Sequence, residues 1–519
     1  MIQTPAPGEH ALFWRGDTLE ATLALERPRK GRAVFRTDMG GWRDVPMRET
    51  APGCFALSLP LDRVGVFSGK ACFFPHGATD PEWPEGSNFR FKVCPASARG
   101  SNSIYTVFPR QFGSFREVVR KLPLIMDEMG FGIVQTLPPF PVPATYAVMG
   151  EYGCPFAATD FFDVDPAMAE FDRKTTPLDQ FRELADAVHS RGGRFFIDLP
   201  ANHTGWASSL QTHHPEWFRR DSDGAFVSPG AWGVVWEDLV ELDYSNDGLR
   251  RYMADVFLFW CRFGVDGFRC DAGYMIPCDA WKYIVAKVRA EYPDTVFMLE
   301  GLGGDPAVTD ALLSEAGLDW AYSELFQTYD RDAFAAYLPD AMRRSGALGT
   351  LVHFAETHDN DRLAAKGEVY ARLRVMLAAL LSAQGAWGVA NGVEWYCREK
   401  IDVHGRNDLS WGAKNNMTAL IARLNALLRT HPSFSGRCDF DFAVRGGGNT
   451  LAVVRRSPSG RVLVLANLDC DSPSDVDWDD SLFPGGEAYD LLEGGDAFLP
   501  RPLRLAPGEV KCFGLRAPR

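Results

Sequence analysis

The sequence predicts an α/β protein: a closed (β/α)8 barrel of the TIM type, with a β-sandwich before it and another after it. Three observations carry this. Four short apolar runs end in acidic residues: FFID at Asp198, GFRCD at Asp271, VFMLE at Glu300 and LVHFAETHD at Asp359. A buried parallel strand reads as an unbroken apolar run, and a carboxylate at its C-terminal tip marks the reactive face of a barrel. The spacing of the runs follows strand–helix steps of roughly 30 residues. Asp271 to Glu300 is 29 residues, one step; Glu300 to Asp359 is 59, two steps; Asp198 to Asp271 is 73, one step plus an insertion of about 40. Finally, the chain is β-patterned before about residue 98 and after about 433, and alternates between strand and helix patterns in the middle. An open sheet also gathers ligands at its carboxyl ends. Only closure brings strands so far apart in sequence to one pocket.

Taken in order, residues 1–98 hold alternating runs such as CFALSLPL and FRFKV between Gly- and Pro-rich turns, which predicts an N-terminal β-sandwich. The barrel is expected over 99–432. Its strands begin with IYTVFP (Ile104 to Pro109) and FGIVQTLPP. A helix follows at TPLDQFRELADAVHSRGG: Thr176 caps it, Pro177 suits its first turn, and Asp179 favours the positive end of its dipole. Leu178, Phe181, Leu184, Ala185 and Val188 form its apolar stripe, and Gly192–Gly193 end it just before FFID. SNDGLRRYMADVFLFWCRFG repeats the plan and leads into GFRCD, with an insertion over about 203–243 between the two. DWAYSELF, TLVHFAE and GAWGVAN complete eight strands by about 392. VMLAALLSAQGAWGVA, too short to span a membrane, reads as a buried helix running into the last of them. TLAVVRR, RVLVLANL and KCFGL then predict a C-terminal β-sandwich over 433–519.

Composition narrows the partners. A net charge of −14 argues against nucleic acid or an anionic membrane surface and suits a neutral ligand such as a sugar. The eleven cysteines are odd in number and scattered, with no CxxC pair, so free thiols in a reducing, cytoplasmic setting are expected. The start, MIQTPAPGEHALFWRGD, shows no basic region followed by an apolar stretch. Oligomeric state is not legible.

At the four acidic stations the motifs resemble those of the α-amylase family, glycoside hydrolase family 13, and the resemblance covers about residues 100–519. DLPANH resembles the family's first motif, with Asp198, Asn202 and His203; GFRCD the second, with Arg269 and Asp271; MLEG the third, with Glu300; FAETHD the fourth, with His358 and Asp359. HPEWF and ELDYSN resemble the family's insertion after the third strand, and the N-terminal region is similar in pattern to a starch-associated sandwich. Taken singly, Asp198 or Glu300 could cap a helix, His203 could be a satisfied core histidine, and Arg269 with Asp271 a structural ion pair. Four motifs in order make that reading strained.

The resemblance implies a retaining α-glucan-active enzyme. Asp271 would be the nucleophile and Glu300 the general acid, then base, with its pKa raised. Asp359 would bind sugar hydroxyls and distort the reacting ring; His203 and His358 would bind the same hydroxyls. Arg269, two residues before Asp271 on one strand and so on the same face, would hold Asp271 ionised, and Asp198 would orient Arg269. No cofactor is required. Asn202 matches a calcium ligand of many amylases, although no dense Asp/Asn cluster follows it. The tryptophans at 206, 217, 232 and 236 lie in the insertion; aromatics of this kind can stack on sugar faces, with packing the expected role for most.

The chain also departs from the family pattern. Tyr274 and Met275 stand where many amylases carry Lys-His after the nucleophile; Tyr152 and Cys154 fall in EYGCPF, where many carry Tyr-His; Thr357 replaces an Asn. These changes bear on the acceptor, which separates hydrolysis of α-1,4 bonds from a 4-α-glucanotransferase or maltosyltransferase using the same intermediate. A phosphorylated donor stays open. A catalytically silent binding scaffold is the alternative of another class, and it would be expected to have lost part of the Asp271, Glu300 and Asp359 set.

Overall fold

The computed structural model describes residues 1–515 except 101, 437 and 459. Its centre is a closed barrel of eight parallel strands: β1 (Ser103–Val107), β2 (Ile133–Thr136), β3 (Arg194–Leu199), β4 (Gly267–Cys270), β5 (Val296–Leu299), β6 (Trp320–Tyr322), β7 (Thr350–Phe354) and β8 (Trp387–Ala390). β8 pairs back onto β1, with Ser103 opposite Trp387, so no edge is left open. Each predicted strand is present; Asp198 is the penultimate residue of β3, Asp271 and Glu300 directly follow β4 and β5, and Asp359 lies on the loop five residues beyond β7.

Local chemistry explains the helix before β3. Thr176 and Asp179 form a reciprocal capping box at the start of Pro177–His189, and Phe181, Leu184, Ala185 and Val188 are buried. Gln180, outside the predicted stripe, is buried as well, because its amide bonds both the N–H and the carbonyl of Glu170. Glu368–Leu380 is the predicted buried helix running towards β8. Among the described residues no helix is long and apolar enough to cross a membrane.

The N-terminal region folds as a four-stranded and a five-stranded sheet. Its Leu12, Trp14 and Cys94 join one buried cluster with Ile104, Ile133, Val296 and Val352 from inside the barrel. Lys92 donates to the carbonyls of Leu318 and Leu348, just before β6 and β7, and Arg15 pairs with Asp294, just before β5, at 2.6 Å. This sandwich therefore seals the end of the barrel opposite the acidic tips. After the barrel come a six-stranded and a three-stranded sheet. Arg455, fully buried, ties them to the barrel layer by donating to the carbonyls of Leu380 and Ser382 at the end of helix Glu368–Leu380, where the helix dipole favours a cation.

Candidate active site

Strand register builds the site. Asp198 on β3 lies directly beside Arg269 on β4, and successive residues of β4 alternate faces, so Arg269 and Asp271 point the same way. Arg269 Nη1 donates to both carboxylate oxygens of Asp198, at 3.0 and 2.8 Å, and to Asp271 Oδ1 at 2.5 Å. Its Nη2 lies 2.7 Å from Glu300 Oε1. Glu300 Oε2 accepts the amide N–H of Ala272 at 2.8 Å. That donor exists because Ala272 turns the chain sharply after β4, with φ +46°. One buried guanidinium thus gathers three of the four predicted carboxylates.

Burial dominates the electrostatics. It pushes Glu300 up to about 7; Arg269 opposes the shift, and the anionic Asp271 and Asp359 add to it. Burial raises Asp198 and Asp271 too, again against Arg269. Burial works against the charge of Arg269, but the surrounding carboxylates outweigh it and hold its pKa well above the ordinary value. The expected pairing of Arg269 with Asp271 and Asp198 thus extends to Glu300.

The remaining predicted residues divide. His203 is buried 3.7 Å from Asp271 Oδ2, and burial lowers its pKa to about 4, so its imidazole is neutral. His358, also buried, lies 3.2 Å from Asp359 Oδ2, and the Asp359 side chain is 61% exposed, open to a ligand. Tyr274 is half-buried; burial, then Glu300 and Asp271, push its phenol up, which places it beside both carboxyls. Tyr152 stands apart on the loop after β2, its ring 5.4 Å from the Arg110 guanidinium. Cys154 is buried with Ala157 and Leu239. Thr357 bonds Asn360 through its amide and hydroxyl and shapes the turn carrying Asp359. Asn202 donates to the Met275 thioether at 3.5 Å and accepts the Leu242 amide through its main-chain carbonyl. A thioether is a poor neighbour for calcium, which takes six to eight oxygens. Among the described residues no group of three or more His, Cys, Asp or Glu is placed to hold a metal.

Several functional neighbours escaped the sequence reading. Phe156 stacks on His358 at 5.2 Å and lies 5.7 Å from the Arg269 guanidinium; Tyr322, the last residue of β6, lies 5.5 Å from it on another side. Neither sits in an acidic motif. Only the position of Tyr322 at a strand end could have flagged it. Glu356 is buried, accepts the Leu363 amide at 2.6 Å and pairs with Arg362 at 3.0 Å, which closes the loop bearing His358 and Asp359.

No family model matches the chain. The α-1,4-glucan:maltose-1-phosphate maltosyltransferase 2 of Streptomyces coelicolor is 26% identical over 471 residues, covering 80% of this chain and 67% of that protein. The corresponding enzyme of Rhodospirillum rubrum is 25% identical over 394 residues, 70% of this chain and 55% of its own. Among solved structures, an α-amylase from Lactobacillus plantarum superposes with a TM-score of 0.67 at 24% identity, over 80% of this chain and 99% of that one. The chain resembles the α-amylase family: it has the fold of α-amylases and is similar in sequence to maltosyltransferases. A noncanonic maltogenic α-amylase from Thermotoga neapolitana shares the family fold too, with a TM-score of 0.66 at 20% identity over 80% and 98% of the two chains. Beside the maltosyltransferases of the family the chain is short: it spans between 55% and 67% of the length of the first three matched.

Proposed function

We propose that this protein is a retaining α-glucan-active enzyme that cleaves α-1,4-glucosidic bonds through a covalent glycosyl-enzyme. The observation that carries the reading is that one guanidinium holds both carboxyls, Asp271 Oδ1 at 2.5 Å and Glu300 Oε1 at 2.7 Å. Inverting enzymes keep their carboxyls about 6.5–9.5 Å apart to admit a water, whereas retaining ones set them at about 5–5.5 Å. Two carboxyls gathered on the two nitrogens of one guanidinium fit the closer, retaining spacing.

In the first step Asp271 Oδ attacks the anomeric carbon, and the glycosidic bond breaks as Glu300 delivers its proton to the leaving oxygen. A pKa near 7 keeps much of Glu300 protonated at neutral pH. In the second step Glu300 takes a proton from the incoming hydroxyl, and the bond to Asp271 opens. Asp359, exposed and flanked by neutral His358, would grip ring hydroxyls. None of these steps calls on a cofactor. Eleven free cysteines suit a reducing compartment, and we place the enzyme in the cytoplasm.

The second step decides between hydrolysis and transfer. The names of the matched maltosyltransferases support transfer as the second reading. Incubation with maltoheptaose tests both. New reducing ends with only shorter products indicate hydrolysis, and products longer than the substrate indicate transfer. An unchanged substrate would favour a phosphorylated donor or the silent scaffold.

A further inference from the structure

The insertion after β3 carries a two-residue hairpin in an unusual form. Gly230–Ala231 pairs with Val234–Val235, leaving Trp232 and Gly233 as the turn, with φ +53° and +80°. Such turns are normally made by Asn-Gly or Asp-Gly. A tryptophan in the left-handed region costs about 1–2 kcal/mol, yet its side chain is not used to fill a core: Trp232 is 64% exposed.

What the strained position achieves is reach. The indole N–H of Trp232 donates to the Gly303 carbonyl at 3.1 Å, three residues beyond Glu300, and the ring lies 6.4 Å from that of Tyr274, three residues beyond Asp271. Gly303 is shaped for the approach, since a Cβ there would come within 2.7 Å of the indole nitrogen. Its N–H is held at 2.7 Å by Glu324 on the loop after β6. Loops following β3, β4, β5 and β6 thus converge on one aromatic wall on the proton-donor side of the site. None of the contributing segments, 229–236, 273–277 and 300–305, contains lysine or arginine. An exposed indole face flanked by segments without lysine or arginine matches an uncharged sugar ring better than a phosphate.

The geometry points to Trp232, backed by Tyr274, as the binding platform for the acceptor sugar: a neutral glucosyl ring of a maltooligosaccharide that stacks there and presents its hydroxyl to the glycosyl-enzyme. This rests on the retaining reading above. The hydroxyl oxygen bonds to the anomeric carbon, the electron pair of the breaking bond returns to the Asp271 carboxylate, and the hydroxyl proton passes to Glu300.

α-Maltosyl fluoride as donor and maltotetraose as acceptor test this, because fluoride leaves without needing a bound sugar. Fluoride release reports a folded protein and formation of the intermediate; longer saccharides report transfer. For Trp232→Ala the maltotetraose concentration giving half-maximal transfer should rise at least about tenfold, the scale of one lost ring-stacking contact. Trp232→Phe, which keeps a stacking face, should stay within about threefold. An unchanged acceptor dependence in Trp232→Ala overturns the platform and leaves the retaining reading intact. So does fluoride release by the wild type without any maltotetraose-dependent product. Inorganic phosphate outcompeting maltotetraose as acceptor overturns the neutral-ring assignment. A wild type that releases no fluoride overturns the retaining reading and the platform together.

Discussion

Arg269 Nη2 lies 2.7 Å from Glu300 Oε1, while Nη1 of the same guanidinium holds Asp271 at 2.5 Å and Asp198 at 2.8 Å. The carboxyls of Glu300 and Asp271 therefore share one counter-ion. That sharing sets their spacing and couples their charges. A planar fork with several donors can do this; an ammonium point charge cannot.

Arg269→Lys should therefore be severely impaired although the charge is kept. We expect kcat/KM on maltoheptaose to fall at least about a hundredfold, the scale seen when one positioned electrostatic group is lost. Activity within a few-fold of wild type would mean that the fork geometry is dispensable.

Asp271→Asn tests the nucleophile. It leaves a near-isosteric side chain beside Arg269 and His203 but no anion to bond the anomeric carbon. Turnover should drop by several orders of magnitude, with the far-UV circular dichroism unchanged. Near-normal turnover would remove Asp271 from its assigned role.

The pH profile should report Glu300. The acid must be protonated in the first step, and burial holds its pKa at about 7. kcat/KM should thus be highest below neutrality and fall roughly tenfold per unit once pH exceeds about 7. A basic limb above pH 9 would assign the proton to another group.

Stability should follow the same carboxyl. Its folded-state value of about 7 lies above the ordinary 4.5. A carboxyl shifted in that direction contributes stability that is fully present below about 4.5 and lost as pH rises through about 7. Glu300→Gln mimics the protonated form, so it should melt at the same temperature as wild type at pH 4.5 and higher at pH 8, by about 1–3 kcal/mol of stability. Equal melting temperatures at both pH values would show that the folded protein does not favour the neutral acid.

The sequence by itself determined the barrel, its eight strands and the four acidic tips. Those features depend on local properties: an apolar run must be buried, a Thr-Pro-Leu-Asp start caps a helix, and a period of about 30 residues repeats a strand–helix unit. Its motifs, carried on contiguous residues, also singled out Asp271, Glu300 and Asp359 through their resemblance to a known family. What only the tertiary structure decided is how residues distant in the chain share space. The register of β3 and of β5 against β4 hands Asp198, Asp271 and Glu300 the same guanidinium. Tyr322 and the Trp232 turn carry no motif, Phe156 goes unmarked within EYGCPF, and their places around Arg269 and Gly303 arise from segments far apart in the chain. Spacing along a chain records periodicity. Charge sharing, desolvation and an aromatic wall depend on through-space distances, which four loops set jointly.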